Sequence, residues 1–337
     1  MSDAIISARN LTKTFWRRRH RRGMVGALRS LADRDGTEIA AVAGVSFEIS
    51  PGEVVGYIGP NGAGKSTTIK MLTGILVPSS GEAHVAGLVP WEQRRRLAQQ
   101  IGVVFGQRTQ LWWDLPLVES LELLRFMYKV PADRFRQNLD AAIELLDMQP
   151  FMDTPVRQLS LGQRMRGDLA ASILHEPPIL YLDEPTIGLD LVAKTRIREF
   201  LSDTNRAHGV TILLTTHDLA DIERLCSRII VIDHGRLVHD GALAMLKQQY
   251  GTRRLLTIDF DDVPREPANR LPDGVGFVKQ DGPRLTVSFD RAAYSAPDMV
   301  GLMGSLGTIR DLSIEEPAIE DVIQQLYAST RETSSAA

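Results

Sequence analysis

A glycine-rich run contains the residue types best suited to hold a phosphate group. The run fits the pattern G-x-x-x-x-G-K-[ST] and consists of Gly59, Pro60, Asn61, Gly62, Ala63, Gly64, Lys65, Ser66 and Thr67. Glycines allow successive backbone N–H groups to turn toward a phosphate. Lys65 would add a positive charge near the β- and γ-phosphates, and the Ser66 hydroxyl would contact Mg²⁺. The run therefore predicts a nucleotide site.

A pair of adjacent carboxylates could supply the rest of this chemistry. Asp183 and Glu184 directly follow the apolar stretch Ile179–Leu182, which indicates a buried strand. Asp183 would hold Mg²⁺ through its water shell, and Glu184 would orient and polarise the water that attacks the γ-phosphate. The alternative is a polar strand end that leads into a turn, and the phosphate loop favours the functional interpretation. Together the two motifs predict a P-loop nucleoside triphosphatase.

A third motif narrows the class. Residues 159–164 spell Leu-Ser-Leu-Gly-Gln-Arg, and this segment resembles the Leu-Ser-Gly-Gly-Gln signature of the ABC ATPase family. The resemblance covers residues 4 to about 245 and includes other motifs in the family's order. These are Gln107, which resembles the Q-loop glutamine, Gly188-Leu189-Asp190, which resembles the D-loop, and Thr215-Thr216-His217-Asp218, which resembles the switch-histidine region.

The resemblance implies that two copies sandwich two ATP molecules head to tail. Ser160, Gly162 and Gln163 would then contact the nucleotide bound by the opposite copy. Leu161 replaces the first signature glycine, but Gly162 is the one whose backbone approaches phosphate in the family, so we expect competence to survive. The spacing from Ser160 to Gln163 also fits a helix capping box, S-x-x-Q, and both interpretations can hold together.

The resemblance also implies roles for three individual residues. His217 would bridge the γ-phosphate and the partner's D-loop, and Gln107 would act in catalysis and as a Mg²⁺ ligand. Phe15 matches the aromatic residue that stacks on adenine, and its neighbour Trp16 could substitute for it. Either of these two aromatic residues could instead belong to the core.

The pattern of elements predicts an α/β fold with more than one part. Apolar strands alternate with helical patterns, which predicts a parallel-sheet core after an N-terminal β subdomain. We expect an ABC ATPase domain over residues 1–250, with a helical subdomain at about 108–178. The pattern of residues 251–330 predicts a small α+β domain that contains a hairpin around Asp281-Gly282. Residues 331–337 are expected to form a disordered tail.

Two segments lie outside the catalytic motifs. Trp112-Trp113 falls where the family receives a coupling helix from the membrane subunit, although these side chains could instead pack the helical insert on the sheet. The basic run Arg17–Arg22 could touch anionic headgroups or an acidic permease loop, or it could be a solvated loop.

Composition limits the function classes. The 337 residues carry a net charge of −3, which gives no reason to expect nucleic-acid binding. The single cysteine, Cys226, excludes an intrachain disulfide and is expected to be buried. Nothing resembles a signal peptide, and no apolar run approaches the roughly 18 residues that cross a bilayer. Service to a membrane would therefore depend on partners.

The sequence as a whole predicts an ATP-hydrolysing motor at the cytoplasmic face of a membrane. It resembles the ATPases of ABC-2-type exporters, which implies separate permease subunits, a second copy of the chain, ATP and Mg²⁺. The alternative is a soluble, non-transport ABC ATPase that acts on a macromolecular partner. A regulatory module without turnover is disfavoured, because Glu184 is retained.

Overall fold

The computed structural model describes residues 4–18, 36–106, 108–251, 253–264, 267 and 271–335. The chain forms two compact units, Met1–Gly241 and Ala242–Ala337. Within the described parts of the chain, no helix is long and apolar enough to cross a bilayer. Gln107, residues 19–22 of the basic run and the stretch around Leu28 and Leu31 lie outside the described residues.

The first unit contains the elements that carry or flank the sequence-predicted site residues that the structure describes. In chain order they are β1 (Ile6–Arg18), β2 (Gly36–Ile49), β3 (Val54–Ile58), α1 (Lys65–Leu72), β4 (Ser80–Val85), α2 (Arg94–Leu97), β5 (Ile101–Phe105), α3 (Leu117–Tyr128), α4 (Ala132–Leu145), α5 (Leu161–Ile173), β6 (Ile179–Asp183), α6 (Leu191–His208), β7 (Thr211–Thr215), α7 (Leu219–Leu225), β8 (Arg228–Asp233) and β9 (Arg236–Ala242).

A six-stranded sheet forms the centre of this unit, in the order β5-β6-β7-β3-β8-β9. The pairs β5–β6, β6–β7, β7–β3 and β3–β8 are parallel. Every residue of β7 is buried, as are the first four of β6, which explains their continuous apolar sequences. Since β7 lies between β6 and β3, the loops that follow these three strands share one edge of the sheet.

The remaining parts of the first unit agree with the sequence pattern. Strands β1, β2 and β4 form an antiparallel sheet, in which β1 and β2 pair from Ile6↔Ile49 to Arg18↔Gly36. This hairpin is longer than predicted, so the basic run begins inside β1. The segment predicted to be helical contains α3, α4 and α5. Cys226 is buried, as expected.

The second unit is an α+β unit with its own core. Its elements are α8 (Leu243–Tyr250), β10 (Arg253–Phe260), β11 (Val275–Asp281), β12 (Arg284–Asp290), α9 (Ala296–Gly304), β13 (Ile309–Glu315) and α10 (Ile319–Ser335). The strands form an antiparallel sheet in the order β11-β12-β10-β13. Apolar residues of the sheet pack against Met299 and Met303 of α9.

Two boundaries differ from the expectation. The second unit begins at Ala242, earlier than the predicted residue 251, because α8 packs against α10. Helix α10 continues to Ser335, so the backbone at 331–335 is helical where a disordered tail is predicted. The hairpin turn at Asp281-Gly282 is confirmed, with Gly282 at a φ of 57°.

Candidate active site

The loop between β3 and α1 requires glycine at two positions. A Cβ on Gly59 would lie 2.3 Å from the Ile232 carbonyl oxygen, and one on Gly64 would lie 2.4 Å from the Ala41 carbonyl oxygen. Gly64 also has a φ of 106°, in the left-handed region, directly before α1 begins. A tight turn that leads into a helix start presents backbone N–H groups and a favourable dipole to an anion.

The Lys65 side chain is held within this loop. It is only 7% exposed, and its Nζ donates to the carbonyl oxygens of Gly59 at 2.6 Å and Pro60 at 3.3 Å. Burial lowers the pKa of Lys65, whereas the nearby Glu184 and Asp183 act in the opposite direction. The ammonium therefore lies close enough to both carboxylates to feel their charge, and the two predicted motifs form one cluster.

The end of β6 is fixed by its neighbours in the sheet. Asp183 Oδ1 accepts a hydrogen bond from Thr215 Oγ1 at 2.6 Å, and the Glu184 N–H donates to the Thr215 carbonyl oxygen at 3.0 Å. On the other side, the Gly106 N–H donates to the Asp183 carbonyl oxygen at 2.7 Å. A Cβ on Gly106 would lie 2.4 Å from the Glu184 carbonyl oxygen, so the residue before Gln107 must be small.

Glu184 and His217 lie side by side at this edge. Glu184 has a φ of 58°, which is strained for a residue with a side chain and is typical of functional sites. Its Oε2 accepts from the His217 backbone N–H at 3.2 Å, and its Oε1 lies 3.3 Å from His217 Nε2. Burial raises the pKa of Glu184, although His217 and Lys65 partly oppose the shift. A carboxylate with a raised pKa is a stronger base.

The oxygen atoms at this edge are suitable ligands for a hard divalent cation. Ser66 and Asp183 offer a hydroxyl and a carboxylate, and the buried Glu184 Oε1 has no hydrogen-bond donor. Within the described residues, no group of three or more His, Cys, Asp and Glu side chains forms a metal cluster. A cation held by few protein ligands suits Mg²⁺, which keeps several waters and takes oxygens from phosphates.

The signature segment caps a helix. Ser160 is the N-cap of α5: its side chain accepts from the Gln163 N–H at 3.2 Å, and the Ser160 N–H donates to Gln163 Oε1 at 2.9 Å. The capping box is therefore confirmed, and it uses the Gln163 side chain. A Cβ on Gly162 would lie 3.7 Å from side-chain atoms of Leu189 and Ala193, which is ordinary contact. The role of the segment toward nucleotide stays a prediction.

The two N-terminal aromatic residues are on the surface. Phe15 is 43% exposed and Trp16 58% exposed, and both lie on β1, where Phe15 pairs with Ile39. The Lys13 ammonium lies 5.5 Å from the centre of the Phe15 ring. These positions contradict the alternative that either residue belongs to the core. They leave the ring of Phe15 free to stack on a base, which stays a prediction.

Comparison with known proteins finds relatives over most of the chain. Residues 42–187 match the family model described as ABC transporter. Daunorubicin resistance ATP-binding protein DrrA3 of Streptomyces coeruleorubidus is 32% identical over 88% of this chain and 94% of its own. Nod factor export ATP-binding protein I of Rhizobium sp. (strain N33) is 34% identical over 90% of this chain and 95% of its own. This chain belongs to the ABC transporter ATP-binding protein family.

A solved structure extends the comparison to the fold. A dimeric ATP-binding cassette in a post-hydrolysis state, bound to ADP and Pi, has a TM-score of 0.59 and 27% identity, and it covers 71% of this chain and 98% of its own. The ABC ATPase fold predicted from the motifs is thereby confirmed. The chain is an ABC-type ATPase that binds and hydrolyses ATP. That the reacting groups are those of the cluster around Lys65 and Glu184 stays a prediction.

This ABC ATPase also has a buried polar network that sequence reasoning missed. Asp221, fully buried on α7, accepts from Thr186 Oγ1 at 2.5 Å, Thr216 Oγ1 at 3.1 Å and the Arg198 guanidinium at 2.5 Å. Thr186 lies two residues after Glu184, and Thr216 directly precedes His217. The network therefore joins the segments that carry Glu184 and His217. The one signal in the sequence is Thr216, which lies inside the motif Thr215-Thr216-His217-Asp218.

The paired tryptophans of this ABC ATPase are both on the surface. Trp112 is 38% exposed and Trp113 50% exposed, so part of each side chain faces solvent and part is covered by the protein. The Arg164 guanidinium lies 5.6 Å from the centre of a Trp113 ring. Helix α3 adds exposed Leu123, Phe126 and Met127. Exposed apolar and aromatic side chains in one subdomain are typical of a protein interface.

Proposed function

We propose that this chain is the motor subunit of an ABC exporter: it hydrolyses ATP with Mg²⁺ as a head-to-tail dimer and drives separate permease subunits. The observation that carries the proposal is the convergence of Lys65, Asp183, Glu184 and His217 at one edge of the sheet. Each of these groups has a task in phosphoryl transfer, and each is already held in place by hydrogen bonds or burial.

The chain's own residues supply most of the chemistry. The loop N–H groups and Lys65 neutralise the β- and γ-phosphates, as an anion cradle does. Glu184 accepts a hydrogen bond from the attacking water on Oε1, which has no hydrogen-bond donor of its own among the described residues, and polarises the water. His217, whose Nε2 lies 3.3 Å from that oxygen, contacts the γ-phosphate. When bound by Ser66, Asp183 and Gln107, Mg²⁺ would neutralise the charge that develops on the phosphate oxygens.

The second copy would complete each site. Ser160 is exposed at the N-terminal end of α5, where the helix dipole and unpaired N–H groups favour an anion. Gly162 adds no side chain that would block a phosphate, and Phe15 would stack on the adenine ring. We infer that ATP closes the dimer by joining these groups of one copy to the phosphate loop of the other, and that hydrolysis reopens it.

The exposed side chains of Trp112, Trp113, Leu123, Phe126 and Met127, here called the tryptophan surface, support an interface with a permease subunit. Such a partner would hold the chain at the cytoplasmic face of the membrane. Export is favoured because the two relatives that align over about nine tenths of the chain are named for daunorubicin resistance and for Nod factor export. Alanine at Trp112 or Trp113 should uncouple transport while ATP binding is retained, with phenylalanine at each position as the control. Unchanged transport in both alanine variants would remove this surface from the proposal.

The decisive experiment is Glu184→Gln. The amide keeps the shape of the side chain but loses its basicity, so we expect ATP affinity to stay within about twofold and turnover to fall by about 100-fold or more. Size-exclusion chromatography with light scattering should show a dimer with Mg²⁺–ATP and a monomer without nucleotide. A variant that turns over at the wild-type rate would show that Glu184 does not act on the water, and a monomer under both conditions would contradict the dimer.

A further inference from the structure

A buried carboxylate fastens the segment after Gln107 to the signature helix. Asp168 lies on α5 and is 5% exposed. Its Oδ1 accepts from Thr109 Oγ1 at 2.9 Å and from the Gln110 N–H at 3.0 Å, and Gln110 Nε2 donates to the Asp168 carbonyl oxygen at 3.2 Å. Three hydrogen bonds therefore join one residue of α5 to two consecutive residues of the neighbouring segment.

The packing next to this contact is equally close. A Cβ on Gly167 would lie 2.8 Å from Leu117 Cδ1 and 3.0 Å from Leu111 Cδ1, so the segment rests directly on the backbone of α5. The Trp112 N–H in turn donates to Ser120 Oγ at 3.1 Å. Between residues 109 and 117 the chain is thus held both by polar and by apolar contacts to its helices.

Burying a carboxylate costs more free energy than a purely structural contact requires. Burial raises the pKa of Asp168 to about 6, although the Gln110 and Thr109 hydrogen bonds and the charge of Arg164 oppose the shift. An apolar side chain would fill the same space without the cost of burying a charge. What the carboxylate adds is direction, because one oxygen holds two donors of consecutive residues in a fixed orientation.

Helix α5 also touches the tryptophan surface. Arg164 lies one turn before Asp168 and directly after Gln163, and its guanidinium is the group that faces Trp113. Within two turns, one helix therefore carries the signature serine, a contact to the exposed tryptophan and the attachment of the segment after Gln107. A displacement of Trp113 or of the segment after Gln107 would therefore move the start of α5 through these contacts.

We propose that Asp168 is a positioning residue: with Thr109 and Gln110 it forms a clasp that makes the segment after Gln107 and the signature helix move as one body. Through this clasp, a movement at the sheet edge that carries Asp183 and Glu184, or at the surface formed by Trp112 and Trp113, changes the position of Ser160. This inference rests on the proposed dimer mechanism and adds a residue to it.

Thr109→Val tests the clasp, because valine has the shape of threonine without the hydroxyl. It also removes the oxygen that accepts from the Leu111 N–H at 3.0 Å, so the melting temperature is measured beside kcat. Thr109→Ser is the matched control, since it keeps the donor. We expect Thr109→Val to lower kcat for Mg²⁺–ATP hydrolysis by about tenfold while KM stays within about twofold, and Thr109→Ser to stay near wild type. Asp168→Leu, which removes the acceptor oxygen and keeps a side chain of similar size, should act in the same direction as Thr109→Val, whereas Asp168→Asn keeps one acceptor oxygen and should have the smaller effect.

Hydrogen exchange supplies the readout that distinguishes positioning from packing. In a Glu184→Gln background, ATP should protect the amides of residues 108–111 and 160–164 together. With Thr109→Val added, we expect ATP to protect the first group and no longer the second. Loss of the second protection alone, with an unchanged melting temperature, supports the clasp.

Two outcomes would overturn the inference. One is wild-type kcat with both groups still protected in Thr109→Val. The other is a fall in kcat that parallels a lower melting temperature and appears equally in Thr109→Ser, which would indicate a structural role only. If the wild-type chain itself neither dimerises nor hydrolyses ATP, the proposed function fails instead, so the two failures are distinguishable.

Discussion

The phosphate-loop half and the signature half of the site are built from different kinds of contact. In the first, Lys65, Asp183 and Glu184 are buried or half-buried and interact with one another across three strands of one sheet. In the second, Ser160 and Leu161 are exposed, and the segment's contacts are within its own capping box and with residues 188–193.

This difference indicates that the two parts of the proposed site have different tasks. Under the proposed mechanism, the groups that neutralise a triphosphate and activate water are preorganised by the fold of a single chain, which avoids reorganisation during the reaction. The groups proposed to close the site lie at the surface, where a second copy could bring them in. Substitutions in the first half should therefore affect a single chain, whereas those in the second should act only once the dimer forms.

Lys65→Ala should have the largest effect and would break the first half. Removing the ammonium leaves the phosphate charge that it would face without a partner, which costs about 2–5 kcal/mol of binding free energy, so we expect ATP affinity to fall by about 100-fold. Isothermal titration calorimetry on the isolated chain measures it. Lys70→Ala, on the same helix with its side chain half-exposed, is the control and should bind normally. Normal affinity in Lys65→Ala would show that the loop does not hold the phosphates.

Asp221→Asn tests whether preorganisation depends on the network beneath Glu184 and His217. The change removes the negative charge that the buried Arg198 contacts at 2.5 Å and leaves it with Asp218, at 3.4 Å, so we expect the free energy of unfolding of the first unit to fall by about 3 kcal/mol. Hydrolysis should fall as well, because the one oxygen of asparagine cannot accept from both Arg198 and the two threonines in the native arrangement. Both are measured on the isolated chain, by denaturant titration and a phosphate-release assay.

Asp240→Asn provides the comparison for that variant. Asp240 also receives a two-pronged hydrogen bond from an arginine, Arg228, at 2.7 and 2.9 Å, but on the surface of the same unit. We expect its loss to cost less than about 1 kcal/mol, because exposed ion pairs contribute little. Equal losses in the two variants would contradict a special role for the buried network.

Most of the first half could be predicted from sequence because its constraints are local. Gly59 and Gly64 are needed where the backbone passes within contact of other carbonyl oxygens, and the lysine and serine follow at fixed spacing. The continuous apolar strands could also be predicted, because both faces of the central sheet are covered. Their order then brings Asp183 and His217 to one edge.

The network under the site could not be predicted, because it depends on how helices α6 and α7 pack. Asp221 and Arg198 are 23 residues apart, and no periodicity joins them. Asp168 was missed for the same reason: its partners Thr109 and Gln110 precede it by 59 and 58 residues. The limit of the second unit was misplaced because the contact of α8 with α10 pairs two segments far apart in sequence.

Ser160→Ala sharpens the comparison from the signature side. Loss of the cap should lower the free energy of unfolding by about 1 kcal/mol. Ser295 of α9 forms the same kind of capping box with Asp298, so Ser295→Ala should cost a similar amount. Hydrolysis by the dimer should fall by about tenfold only in Ser160→Ala, if its hydroxyl also meets a phosphate.

Nucleotide binding by the isolated Ser160→Ala chain should remain normal, because the phosphate loop is complete without the signature. Equal hydrolysis in the Ser160 and Ser295 variants would reduce Ser160 to a helix cap. Weakened ATP binding by the monomeric Ser160→Ala chain would blur the division between the two halves, since it would place the signature within the site of its own chain.

Leu161→Gly should have the smallest effect, because it changes the departure from the family signature rather than a reacting group. Leu161 is 36% exposed and lies against Gly188, where a Cβ would be 3.0 Å from its Cδ2. Glycine removes this contact and adds backbone freedom in the first turn of α5, at a cost of about 1 kcal/mol. Leu161→Ala removes the contact without the added freedom. Since Gly162, and not residue 161, is proposed to approach a phosphate, kcat should change by less than about threefold in both variants. A change beyond about tenfold in Leu161→Ala would indicate that the contact of Leu161 with Gly188 takes part in the catalytic cycle.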